Sequence, residues 1–286
     1  MDEFLETLAD VTTPSAAKEE ALVAWLQTQR RVAIGYSGGV DSAYLAVVAR
    51  RTLGADNTLA IIGRSASYPA EQWATARHVA ESFGIAVVEL DTDELNDPRY
   101  AANPSNRCYF CKTELWSKLV PLAHSRGFHR VVDGTNADDL GDYRPGAQAA
   151  REHAVASPLA ELGFAKLEIR ECSRALGIPT WSQPSSPCLS SRLPYGTSVT
   201  PHRLGQVERA ERALRELGIA GDLRVRYHDD LARVELSRDA LANWMQPVKL
   251  AELRAAVQGA GFARVALDLR GFRSGSLNVL HGVTAA

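Results

Sequence analysis

Two cysteines three residues apart, Cys108 and Cys111 in the stretch RCYFCK, stand out in a chain of 286 residues that holds only two more, Cys172 and Cys188. A Cys-x-x-Cys on the first turn of a helix can bring two thiols to one centre, and a distant third can close the site. On spacing alone three readings stay open. The pair packs as two small apolar side chains; or it forms half of a structural zinc site, with His124 or His129 as a further ligand; or it belongs to a redox dithiol or an iron–sulfur centre. Cys188 stands among Pro187, Ser190, Ser191 and Arg192, and a guanidinium nearby favours the thiolate that reactive cysteines need. Cys172, inside the helical pattern IRECSRAL, reads as a core residue.

A second chemistry is written in Ser37-Gly38-Gly39-Val40-Asp41-Ser42. Two glycines let backbone approach a ligand, two serines add hydroxyls, and the helix that follows offers free amides and a positive dipole end. That is an anion site. It lacks the Gly-Lys-Ser/Thr ending of a Walker A loop, so kinase-like transfer of a γ-phosphoryl group is not its natural use. The plain alternative is a tight strand-to-helix turn capped by Ser37.

The elements that must position these groups alternate. RVAIGY, TLAIIG, IAVVEL and RVVDG read as buried strands. SAYLAVVARRTLG, PAEQWATARHVAESFG and CKTELWSKLVPLAHSRG read as the helices between them. A further helix over residues 16–30 carries Ala21, Leu22, Trp25 and Leu26 on one stripe. The expected architecture is α/β, a doubly wound parallel sheet with helices on both faces. Ligands of such sheets bind at the carboxyl ends of the strands. There stand the Ser37 loop, Arg64 and Ser65, and Gly134-Thr135-Asn136-Ala137-Asp138-Asp139.

From about residue 201 the pattern becomes helix, two alternating strands, helix and a last strand, which predicts a small α+β C-terminal domain. The expected division is 1–200 and 201–286. In LRVRYH, Leu223, Val225 and Tyr227 take one face, and Arg224, Arg226 and His228 the other. Two guanidiniums roughly 7 Å apart suit a phosphate or carboxylate, unless the face is simply solvated.

Composition narrows the rest. A net charge of −2 and a pI near 6.4 give no pull towards nucleic acid or anionic membranes. Four irregularly spaced cysteines are too few for a secreted disulfide framework. The start MDEFLETLAD is acidic where a signal peptide is basic, and no apolar run reaches the roughly 18 residues of a membrane span. A cytoplasmic protein with no nucleic-acid or membrane partner is expected.

The hexapeptide SGGVDS resembles the signature of the PP-loop ATP pyrophosphatases, which cut ATP between the α and β phosphates and adenylate a substrate oxygen. That resemblance implies that Ser37, Gly38, Gly39 and Ser42 hold pyrophosphate and that Asp41 organises the loop or a Mg2+ ion. It further implies that Gly134, Thr135, Asn136 and Asp138 complete the nucleotide site, with Arg64 and Ser65 near adenine and ribose. KLEIRECSRALGIP (166–179) resembles the helix that follows in many members. RCYFCK, DGTNADDLGDYRPG, SSPCLSSRLPYGT, VRYHDDLARVEL and LDLRGFRSG together resemble the LarE family of ATP-dependent sulfur transferases, over residues 16–278.

LarE-type enzymes help build the nickel-pincer nucleotide cofactor of lactate racemase and related enzymes. They adenylate the carboxylates of a pyridinium dicarboxylate mononucleotide and replace AMP with sulfur. One branch uses a single sacrificial cysteine, and the other a 4Fe–4S cluster on three cysteines. The second branch implies that Cys108, Cys111 and Cys188 are the cluster ligands. The resemblance also puts Arg192 and Glu211 beside the substrate with Cys188, gives Arg224 and Arg226 to substrate binding, and implies a homo-oligomer. Two other functions fit less of the sequence. A tRNA-thiolating PP-loop enzyme would need a basic surface. A non-catalytic nucleotide-binding iron–sulfur or zinc module would bind ATP and form no AMP.

Overall fold

The computed structural model describes residues 14–141, 145–184 and 187–273. Helix α1 (Pro14–Gln29) leads into β1 (Val32–Gly35), α2 (Val40–Leu53), β2 (Thr58–Arg64), α3 (Ala70–Ser82), β3 (Ala86–Asp91), a single turn α4 (Pro98–Ala101), α5 (Arg107–Ser125) and β4 (Arg130–Val132). The strands pair in parallel in the order β3-β2-β1-β4. Side chains alternate across the sheet. Val32, Ile34, Ala60 and Ile62 join the core under α1, α2 and α3, whereas Ala33, Leu59, Ile61 and Val131 join the core under α5. The sheet is therefore covered on both faces, which is why its strands read as unbroken apolar runs.

Helix α5 lies flat on the second face. Trp116 presses on Gly35 of β1 and Leu115 on Gly63 of β2, both at distances that leave no room for a Cβ. It begins at Arg107, four residues before the predicted start, so Cys108 and Cys111 both lie in its opening turns. On α1, Leu22 and Leu26 are buried as expected, but Ala21 faces solvent.

After β4 come α6 (Pro145–Glu152), α7 (Pro158–Glu161) and α8 (Lys166–Ala175). Helix α8 stops earlier than the pattern predicts, and residues 179–182 form a separate 3-10 turn. The remaining elements are α9 (Pro201–Glu216), β5 (Leu223–His228), β6 (Leu231–Leu236), α10 (Arg238–Trp244), α11 (Pro247–Gly259) and β7 (Arg264–Leu267). Thr200 caps α9 by accepting the Arg203 amide at 3.3 Å. β5 and β6 form the expected antiparallel pair, and β7 adds to β6 in parallel. The core of this unit reaches back for Tyr100, Leu189, Leu193 and Val199. Among the described residues no helix is long and apolar enough to cross a membrane.

Candidate active site

Ser37, Gly38 and Gly39 fill the turn between β1 and α2. Gly38 is left-handed (φ 68°), and a Cβ there would stand 2.4 Å from the Ala76 Cβ, so only glycine fits. The Ser37 and Ser42 hydroxyls lie 3.1 Å apart, and the Ser37 amide donates to Ser42 Oγ at 3.2 Å. Tyr68 and Gln72 both donate to the Ser37 carbonyl, at 2.9 and 3.0 Å. The loop is thus braced before any ligand arrives, with the first amides of α2 free of helical partners.

Gly134, at the end of β4, packs so closely on α2 that a Cβ would come 2.8 Å from the Ser42 nitrogen. Thr135 donates its amide and hydroxyl to Asp133, at 3.1 and 3.0 Å. The buried Asn136 accepts the Asp138 amide at 3.0 Å and donates to Asp41 Oδ1 at 3.3 Å. The other oxygen of Asp41 is ion-paired with Lys166, the first residue of α8, whose own amide donates to Asp138 at 2.8 Å. Asp41 therefore ties three separate segments into one corner. At the end of β2, Ser65 and Ser67 share a hydroxyl contact of 2.8 Å. Arg64 turns over the Trp73 ring and pairs with Glu89 at 2.9 Å.

Ser67 opens the second half of the site. Its carbonyl accepts the Leu189 amide at 2.8 Å, which fixes the residue after Cys188 against the end of β2. Its hydroxyl donates to Glu94 at 2.9 Å, and the second oxygen of that buried carboxylate has no hydrogen-bond partner. Cys108 is exposed, while Cys111 and Cys188 are half-buried. Burial, then Glu94 and Cys188, push the Cys111 thiol well above its ordinary pKa. Tyr100 meets the Ser190 hydroxyl at 2.6 Å, and burial raises its pKa, with Cys188 and Cys111 adding to the shift.

Arg107, only 5% exposed, donates to Asn103 Oδ1 at 2.6 Å and lies 5.6 Å from the Tyr195 ring centre. Burial works against its charge, but Cys188, Cys108, Tyr100 and Tyr195 outweigh it and raise its pKa. Among the described residues, no three His, Cys, Asp or Glu side chains form a ready metal cage.

Arg192 is 1% exposed, and its guanidinium is taken up by the loop. It donates to the carbonyls of Pro187 and Cys188, to Ser191 Oγ, and to both oxygens of Glu211 at 2.9 and 3.0 Å. Glu211 also accepts the Val225 amide at 3.0 Å. Arg224 and Arg226 are buried, so their strand face is not a solvated one. Arg226 pairs with Glu235 at 2.9 Å and donates to the Ser191 carbonyl at 3.0 Å. Arg224 lies over Phe272, and burial followed by Arg192 pushes its pKa down to about 10. Three guanidiniums thus back the Cys188 loop, a setting suited to an anionic ligand.

A family model described as NAD synthase matches residues 20–108, the part that carries the Ser37 loop. The ammonia-dependent NAD(+) synthetase of Finegoldia magna is 25% identical over 56% of this chain and 68% of its own. An uncharacterised protein of Synechocystis sp. is 49% identical over 87% of this chain and 92% of that one. The pyridinium-3,5-bisthiocarboxylic acid mononucleotide synthase of Lactiplantibacillus plantarum is 36% identical, over 92% of this chain and 94% of the relative. The chain belongs to the LarE family. LarE-family chains are PP-loop proteins and ATP-dependent enzymes, and the parallel sheet with its loop at the carboxyl ends is the fold that this requires.

In this LarE-family chain the fold brings Ser37, Gly38, Gly39, Asp41, Ser42, Gly134, Thr135, Asn136 and Asp138 into one corner. It brings Cys188, Arg192, Glu211, Arg224 and Arg226 into another, with Cys108 and Cys111 beside it. Arg64, the last residue of β2, is paired with Glu89 and lies over Trp73. Asp142, Tyr143 and Arg144 of the DYRPG stretch, and Ser185 and Ser186, lie outside the described residues. Reading the sequence alone misses Lys166, Ser67, Glu94 and Arg107. Lys166 had a signal, since it opens a segment with family resemblance, and Arg107 had one in directly preceding Cys108.

Proposed function

We propose that this chain adenylates the carboxylates of a pyridinium dicarboxylate mononucleotide and replaces AMP with sulfur, in the assembly of a nickel-pincer nucleotide cofactor. The observation that carries the reading is the Leu189–Ser67 hydrogen bond, which sets the cysteine loop against the strand end that borders the nucleotide corner. The L. plantarum relative is named for a bisthiocarboxylic product of this kind. A carboxylate oxygen is a poor leaving group, so thiolation needs activation. The substrate carboxylate attacks the α-phosphorus of Mg-ATP, and the amides around Ser37–Ser42 hold the departing pyrophosphate, with Lys166 adjacent. Arg224 and Arg226 hold the anionic mononucleotide, while Arg192 and Glu211 keep the Cys188 loop in shape. A sulfur nucleophile at the cysteine wall then attacks the acyl carbon, and AMP leaves with the bonding electrons.

Cys108, Cys111 and Cys188 are the residues that would hold a 4Fe–4S cluster. Their chemistry suits it, with three thiols beside a buried guanidinium that offsets the negative charge of a thiolate-bound centre. When bound, such a cluster supplies sulfide at an iron without a protein ligand.

Pyrophosphate release, measured with and without the pyridinium dicarboxylate mononucleotide, tests the reaction. Release that depends on this compound supports it, and none ends it. Iron and acid-labile sulfide after anaerobic purification test the sulfur source. About four irons per chain, lost in Cys188→Ala, support the cluster. Little iron in either protein makes Cys188 itself the donor.

A further inference from the structure

Glycine lets the Ser37 turn form, and by the same freedom it leaves the direction of the turn's amides open. The Ser37 amide is taken by Ser42 Oγ, and the Gly39 amide reaches Ser37 Oγ at 3.4 Å. The Gly38 amide between them donates to no group among the described residues, although Gly38 is buried. An orphan amide in such a place is costly unless a ligand takes it. Its direction depends on the Ser37–Gly38 peptide, because a planar trans peptide points its N–H opposite to its C=O. A glycine tolerates that peptide in either orientation, and Gly38 already lies in the left-handed region (φ 68°). A grip on the Ser37 carbonyl therefore fixes the amide.

That grip comes from α3 and the residues just before it. Tyr68, two residues ahead of the helix, and Gln72, in its first turn, donate to this one oxygen at 2.9 and 3.0 Å and occupy both of its lone pairs. Ala76, one turn further on, packs directly on Gly38. The backbone that carries the two donors is held in turn. The Tyr68 amide donates to the Ser65 carbonyl at 3.1 Å, and the Ser67 carbonyl accepts from Leu189. Glu208 of α9 accepts the Ala70 amide at 2.7 Å, so a carboxylate of the C-terminal unit caps the start of α3.

We propose that Tyr68 and Gln72 are positioning residues for ATP cleavage, which aim the Gly38 amide at the pyrophosphate by holding the Ser37 carbonyl on the opposite side of the peptide. Both act through the peptide and not by contact with the phosphates. The inference rests on the reading above only where that reading gives pyrophosphate to the Ser37 turn. The substrate that is adenylated and the source of sulfur do not enter it.

Calorimetric titration of the full-length chain with Mg-pyrophosphate and, separately, with AMP tests the assignment. Tyr68→Phe removes one hydroxyl and keeps the ring, and it is expected to weaken pyrophosphate binding about threefold. Tyr68→Phe combined with Gln72→Met strips both donors from the carbonyl and should weaken it about tenfold. AMP lacks the two phosphates that leave, so its affinity for each variant should stay within about twofold of wild type. A general loosening of the fold would weaken both ligands together. Unchanged pyrophosphate affinity in the folded double variant, or a parallel loss of AMP affinity, overturns the proposal. Should the double variant fail to fold, Tyr68→Phe decides the matter by the same comparison. Failure of the reading beneath it looks different, since the wild type itself would then bind no pyrophosphate.

Discussion

The nucleotide corner and the cysteine corner meet at Ser67, yet they are built by opposite means. The first is largely backbone, in which the Ser37–Gly39 turn, the Ser37 and Ser42 hydroxyls and a close approach by Gly134 place the amides. The second is assembled from side chains far apart in sequence. Tyr100 meets Ser190 across 90 residues, Asn103 meets Pro194 across 91, and Arg226 meets Ser191 across 35. A backbone cradle tolerates many side-chain changes and few glycine changes. A side-chain wall has the reverse sensitivity, and damage to one corner should leave the other working.

Cys188→Ala probes that separation with the largest expected effect. Thiocarboxylate formation should fall about a thousandfold, while substrate-dependent pyrophosphate release stays within about threefold of wild type. If both activities fall together, the corners are not separable. Asp41→Asn is the mirror experiment. Loss of the Lys166 ion pair should cut pyrophosphate release about a hundredfold, with cysteine alkylation rates unchanged.

Acid should loosen the cysteine corner first. Asp268 accepts from Arg233 at 2.5 Å and Arg270 at 3.2 Å, and Arg233 passes the network to Glu235 and Arg226. Burial pushes the Asp268 carboxyl up, but hydrogen bonds from Arg270 and Arg233 push it further down, to about 2 from an ordinary 3.8. Its folded-state pKa lies below the unfolded value, so the stabilisation is complete above about pH 4 and is lost as pH falls towards 2. The loss amounts to about 2 kcal/mol. Urea midpoints should show that loss in the wild type and not in Asp268→Asn. Ser190→Ala, which strips the partner from the buried Tyr100 hydroxyl, should cost about 1 kcal/mol by the same assay and leave ATP affinity alone.

The same contrast governs what the sequence discloses. The Ser37 loop, the strands before it and the GTNADD segment are local patterns, so their place at the strand ends was legible from alternation and turn chemistry. The α/β sheet and the C-terminal α+β unit follow from period and apolar runs. Nothing in a linear pattern says that Arg224 and Arg226 will be covered, because Ser191, Glu235 and Phe272, which meet them, are distant in sequence. Arg192 invites a reading as a partner of the thiol, yet in the fold it serves carbonyl oxygens and Glu211. Lys166, Ser67 and Glu94 are ordinary residues until folding sets them beside Asp41 and Cys111. Ala21 shows the limit of periodicity, since a stripe predicted from spacing loses its edge once the neighbouring surfaces are in place.

The strand order β3-β2-β1-β4 makes the passage from β3 to β4 leap the width of the sheet, and α5 is the span of that bridge. The activating loop belongs to one end of the topology and the thiol pair to the crossing. On the proposed reaction, lengthening or shortening residues 92–106 would shift the attacking sulfur relative to the acyl adenylate without altering Ser37 or Gly134. On that reading the crossing is an exchangeable module, where one activating sheet can be refitted to deliver a different attacking atom.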